Sequence, residues 1–211
     1  MLTPLSFIEQ AAALAAWRPL GLDISDEELR RVADRYDHQS LPELPFGQGR
    51  FLVPYLSSAE KTFMTLLRCL NRESPHVLPD LTVRTFEHLL SISHLVLRKG
   101  LTQPTVKLRL ETIDLLRDRP TQRGPAQVES ELLPHAGVIA AMAYDKRLLQ
   151  AMLTGGAPRG FWLPAYELTQ VRGHMVPYVG FPRGERVLAI HAAPPRTRPR
   201  VADMSIPRLV A

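Results

Sequence analysis

The residues with the most obvious chemical potential in this chain are its cations, and they are unevenly spread. Arg98, Lys99, Lys107, Arg109, Arg117, Arg119 and Arg123 fall in one stretch, and Arg196, Arg198, Arg200 and Arg208 follow Pro195. Ammonium and guanidinium groups interleaved with Thr102, Gln103 and Thr105 suit phosphate oxygens and base edges. Other chemistries have less behind them. The seven histidines, His38, His76, His88, His94, His135, His174 and His191, form no HExxH pair, and His88 and His94 are spaced for different helix faces, so no metal site is expected. Phe46-Gly47-Gln48-Gly49-Arg50 runs into Phe51-Leu52-Val53-Pro54 rather than a helix start, which reads as a loop turn and not a phosphate cradle. The carboxylates Glu111, Asp114, Asp118, Glu129 and Glu131 read as solvated partners for Lys107, Arg117 and Arg119, because a catalytic pair needs burial that their spacing does not suggest. A Gly-x-Ser-x-Gly elbow is absent. The single Cys69 sits in an apolar run and reads as a small buried hydrophobe. Nothing in these patterns argues for an enzyme, and no cofactor is expected.

The most specific pattern surrounds Gly100. Leu95-Val96-Leu97-Arg98-Lys99-Gly100-Leu101-Thr102-Gln103-Pro104-Thr105-Val106 continues into Lys107-Leu108-Arg109-Leu110-Glu111-Thr112-Ile113. It resembles the helix-turn-helix of bacterial winged-helix regulators, in which a helix stops at Gly and Leu-Ser/Thr-Gln-Pro-Thr-Val opens the next. The resemblance implies that Gly100 takes the left-handed turn and that Leu101 and Val106 lock two helices. Thr102–Thr112 would then be a recognition helix in the major groove, with Gln103 and Arg109 at base edges and Thr102, Thr105 and Lys107 at phosphate. Arg117, Arg119 and Arg123 would supply a basic wing. The match spans about twenty residues. The same residues also describe a structural helix hairpin that never meets DNA.

The elements that would carry this motif follow from apolar spacing and punctuation. Helices are expected over 6–17, 26–36 (Ser25 and Glu28 forming a capping box), about 57–71 (Ser57 and Glu60 likewise), 80–99 and 104–116. A last helix is expected over 126–153, kinked at Pro134 and stopped by Gly155 and Gly156. The segment 40–54 has loop composition. Val176–Phe181 and Arg186–His191 flank Pro182-Arg183-Gly184-Glu185 and predict a β-hairpin. Residues 194–211 read as an extended basic tail rich in proline.

At 211 residues the chain can bury a substantial core, and its 19 prolines exclude a long coiled coil. A formal charge of +5 suits a polyanionic partner. One cysteine, no basic signal-peptide start and no apolar run of roughly 18 residues predict a cytoplasmic protein without membrane insertion. The expected architecture is mainly α. A multi-helix bundle-like body with the helix-turn-helix hairpin is followed by a small C-terminal β-hairpin and a basic tail, divided at 1–54, 55–154, 155–193 and 194–211. The expected function is a non-catalytic DNA-binding accessory or transcriptional regulatory protein. The alternative is a scaffold or adaptor subunit of a multiprotein assembly, such as a secretion or conjugation apparatus, docking a protein partner or a second copy through Phe161 and Trp162.

Overall fold

The computed structural model describes residues 6–37, 43–45, 47–73, 82–84, 94–118, 136–170, 173–182, 185–194 and 203–210. In chain order they form α1 (Phe7–Ala16), a 3-10 turn (Arg18–Leu20), α2 (Asp26–Asp37), β1 (Gln48–Pro54), α3 (Ala59–Glu73), β2 (Thr82–Arg84), β3 (His94–Leu97) and β4 (Leu108–Asp118). There follow α4 (Gly137–Tyr144), α5 (Lys146–Thr154), β5 (Gly160–Trp162), β6 (Tyr166–Gln170), β7 (Gly173–Gly180), β8 (Val187–Ala193) and β9 (Met204–Leu209). The expectation of a mainly α-helical bundle is therefore corrected: the architecture is mixed α/β, with helices packed on a nine-stranded sheet.

The strands run in the order β1-β4-β9-β5-β7-β6-β3, with β8 also on β7 and β2 on β8. Among the described residues the parallel pairings are β5–β9 and β2–β8. Among the described residues the expected helix-turn-helix does not form: β3 stands where its first helix would end and β4 where its second would run. The physical reason is visible in Leu108-Arg109-Leu110-Glu111-Thr112-Ile113. Apolar and polar residues alternate from Val106 to Glu111 and the phase shifts at Thr112-Ile113, so strand-like alternation stands beside the 4-3-3 helical spacing of Val106, Leu110, Ile113 and Leu116. Pairing of β4 with β1 from Gln48↔Asp114 to Pro54↔Leu108 holds the backbone extended, which excludes a helix.

The N-terminal helices follow their caps. In α1, Ser6 and Glu9 form a capping box; in α2, Ser25 N–H donates to Glu28 Oε2 at 2.8 Å while Glu28 N–H donates to Ser25 Oγ at 3.2 Å. The cap of α3 is displaced by one residue from expectation, to Ser58, whose Oγ accepts from Lys61 N–H at 3.1 Å. The single helix expected over 126–153 is two helices broken at Asp145, which is extended (φ −100°, ψ 93°) and caps α5 through Arg147 and Leu148 N–H. Pro134 and the expected kink lie outside the described residues. The segment 40–54 is not all loop, since 48–54 are β1. The hairpin forms as β7 and β8, from Val176↔Ala193 to Gly180↔Ala189, but inside the large sheet rather than as an appendage. The end of the expected tail is β9, between β4 and β5. Pro207 sits there, where the β4–β9 register slips, so its missing N–H breaks no regular ladder.

The core centres on α4. All eight of its residues are buried, because it lies between α3 and strands β1 and β4 and has no solvent face to make amphipathic. Tyr144 at its end stacks on Trp17 (5.0 Å, 22°), whose indole donates to Glu73 at 2.9 Å. The outer edge of β1 is closed by side chains instead of another strand. Leu52 N–H donates to Gln10 Oε1 (2.8 Å), Gln10 Nε2 donates to Arg50 O (3.0 Å), and Tyr144 OH donates to Leu52 O (2.8 Å). Gln10→Leu strips partners from two of these edge groups. We expect it to lower stability by about 1–3 kcal/mol in urea denaturation, the cost of unpaired buried polar groups.

Candidate nucleic-acid interface

The connection from β3 to β4, residues 98–107, holds the region that the sequence marks for phosphate. Its path is set by backbone bonds at both ends: Arg98 N–H donates to Ala165 O (2.9 Å), Leu101 N–H to Arg98 O (3.0 Å) and Tyr55 N–H to Lys107 O (2.8 Å). Gly100 supplies the turn at φ 90°, a conformation that L residues with a Cβ rarely adopt. Gly100 thus makes the left-handed turn expected of it, but between a strand and an extended connection rather than between two helices.

The eight DNA-contact candidates do not stay together. Thr102, Thr105, Lys107 and Arg109 are exposed along this ridge and the start of β4. Gln103 turns inward: its Nε2 donates to Leu56 O and lies 3.4 Å from Thr62 Oγ1, so it is an anchor of the ridge and cannot read a base edge. Arg117 lies in β4, with its side chain outside the described residues, as are Arg119 and Arg123. Phe161 and Trp162, named for partner docking, are 0% and 2% exposed and belong to the core, Trp162 packing edge-on to Tyr178 at 5.1 Å. Lys99, not among the candidates, is exposed on the same ridge, as is Val106.

Electrostatics differ along the ridge. Lys107 Nζ lies 3.6 Å from Asp23 Oδ2 and 3.8 Å from Glu28 Oε1, at the rim of a polar cleft of about 360 Å³ that also includes Arg18, Ser25 and Arg31. The Asp23 pair is exposed and worth little, and the half-buried Glu28 lies at the longer distance, so Lys107 is open to exchange for another anion. Glu28 is held below the ordinary glutamate range mainly by the Ser25 backbone N–H.

Two residues inward from Arg109 on the same face of β4, the setting reverses. Glu111 is 2% exposed, accepts from Tyr55 OH through Oε1, and leaves Oε2 buried with no hydrogen-bond partner among the described residues. Burial pushes its carboxyl above the ordinary glutamate range, against the lowering effects of Tyr55 and Arg109. The phenols of Tyr55 and Tyr166 are pushed up first by burial and then by the Glu111 charge. Glu111 is therefore not the solvated acid that its spacing implied. The signal for burial was there: it shares a strand face with Ile113. Cys69 is fully buried, and burial raises its thiol to about 12, in keeping with a packing role.

Among the described residues, no group of three or more His, Cys, Asp or Glu could hold a metal ion. No helix among them is long and apolar enough to cross a membrane. Fold and ridge together define a mixed α/β protein with an exposed cationic connection between β3 and β4. Comparison with family models, curated proteins and solved structures finds no match to this chain.

Proposed function

We propose that the protein is a non-catalytic nucleic-acid-binding accessory protein that grips the phosphate backbone through the ridge 98–109, without a recognition helix. The observation that carries this reading is the ordered exposure of Lys99, Lys107 and Arg109, with Thr102 and Thr105 between them as neutral donors. The chain's formal charge of +5 supports it, since a positive excess raises the encounter rate with a polyanion. Because Gln103 is committed to Leu56, the contacts are to phosphate and carry little sequence preference.

Binding to a short mixed-sequence duplex and to a single strand, followed by fluorescence anisotropy across a salt series, tests the reading. Three phosphate contacts predict a slope of log K against log salt of about −3 for duplex DNA. Lys99→Ala, Lys107→Ala and Arg109→Ala should each reduce its magnitude by about 1 and weaken binding evenly across sequences. No binding at low salt, or variants with the parental slope, would sink the reading.

A further inference from the structure

Glu111, Tyr55 and the ridge form one connected path. Tyr55 follows β1 and bonds in two directions: its OH donates to the buried Glu111 Oε1, and its N–H donates to the carbonyl of Lys107 on the ridge. The next residue, Leu56, offers its carbonyl to Gln103, the inward anchor of the same ridge. The carboxyl at the other end is held only on one side. Its Oε2 has no partner among the described residues and lies against Gly137 at the start of α4, so close that a Cβ there would stand 2.5 Å away.

We propose that Glu111 and Tyr55 are a proton-linked latch for the ridge, closed while Glu111 is a neutral acid and released when it ionises. The two protonation states differ in what the site can satisfy. A neutral carboxyl with one phenol donor leaves an uncharged oxygen unpaired, whereas a carboxylate leaves part of a full charge unpaired in an apolar interior. The groups facing it give limited help. Tyr55 supplies the one donor, Tyr166 on β6 is a second phenol that feels its charge, Arg109 lies outward on β4 at the surface, and α4 presents Gly137 and no charged side chain. Ionisation strengthens the bond from Tyr55, but the larger cost is the buried, half-paired charge; movement outward, toward water and Arg109, relieves that cost and breaks the bond to Tyr55. Tyr55 then loses its inner anchor, and the bonds from Tyr55 to Lys107 and from Gln103 to Leu56 loosen with it. The latch controls the order of the ridge whether or not the ridge binds nucleic acid; its role in tuning affinity rests on that reading.

Amide hydrogen exchange by NMR on the intact protein, referenced to unstructured-peptide rates at each pH, tests the latch without any nucleic acid. The amides of Tyr55 and Leu101 report the ridge; that of Phe181, bonded to Arg159 O, is the control. Between about pH 5 and pH 8 the ridge amides should gain about tenfold over their intrinsic acceleration, a change of about 1.4 kcal/mol in opening free energy, while Phe181 does not. Glu111→Gln keeps a carbonyl for Tyr55 but cannot ionise, so its ridge protection should stay flat with pH. Tyr55→Phe removes the bond itself and should expose the ridge amides already at the acid end. The latch is overturned if Glu111→Gln follows the parental curve, if Tyr55→Phe matches the parent at acid pH, or if Phe181 accelerates in step with the ridge.

Discussion

Gly137→Ala is expected to destabilise the protein by about 2–3 kcal/mol, although alanine is the better helix former by up to about 1 kcal/mol. The added methyl would stand 2.5 Å from Glu111 Oε2, 2.5 Å from Ile113 Cδ1 and 3.4 Å from Val53 Cγ2. A contact with the end of a side chain is cheap when that side chain can swing away. While Glu111 is neutral, neither close neighbour can. Glu111 is held by its other oxygen to Tyr55, and Ile113 is fully buried. Gly137 thus serves close approach of α4 to the sheet, and α4 must back away from β1 and β4 to admit the methyl. Urea denaturation followed by the two buried tryptophans, Trp17 and Trp162, measures the loss. A cycle with Glu111→Ala assigns it: with the carboxyl removed, the cost of Gly137→Ala should fall by about 1 kcal/mol or more, as expected for residues in contact. Additive losses would show that the clash with Glu111 is not its source.

Helices whose start and apolar stripe are local were legible in the sequence. In α1 and α2 the helical period agrees with the observed elements, and the Ser25–Glu28 pair caps α2 as its spacing implies. Elements decided by distant partners were not. The stretch 104–116 satisfies a helical and an alternating pattern at once, and only the pairing of β4 with β1 and β9, far away in sequence, selects the strand. The same holds for β9, whose Pro207 and Arg208 continue the pattern of a solvated tail until its burial between β4 and β5 is seen. Of the candidate site, the exposure of Lys107 and Arg109 was legible. The inward turn of Gln103 was not, because its acceptor is the carbonyl of Leu56, 47 residues earlier. The wholly apolar run Gly137-Val138-Ile139-Ala140-Ala141-Met142-Ala143 carried an unread clue. A helix with no polar face must be covered on every side, and whatever covers it, Glu111 included, is buried too.

Glu111→Gln is expected to be more stable than the parent at alkaline pH and no more stable at acid pH, so that the two stability curves cross. In the unfolded chain the carboxyl loses its proton around the ordinary value of 4.5, while in the folded protein burial keeps the proton on to higher pH. Between those values the folded state binds more protons than the unfolded state, so stability falls as pH rises. The fall starts near 4.5 and levels off above the raised folded value. Glutamine has no such proton, and the variant lacks this contribution to the slope. At acid pH it offers Tyr55 a carbonyl in place of a neutral acid and gains nothing. At alkaline pH it avoids a buried, half-paired charge, a gain of about 1–3 kcal/mol on the scale of an unsatisfied buried polar group. Other groups must be separated from this one. Asp145 is also raised by burial and adds a slope of the same sign, whereas Glu9, Asp26 and Glu28 are lowered by their hydrogen bonds and lose their contribution as pH falls through their depressed values. All four remain in the variant, so they cancel in the difference between the two curves. Urea titrations of both proteins from about pH 4 to pH 9 give that difference directly. A difference that stays constant over the range would mean that Glu111 titrates alike in the folded and unfolded chain, and that its unpartnered oxygen is reached by water.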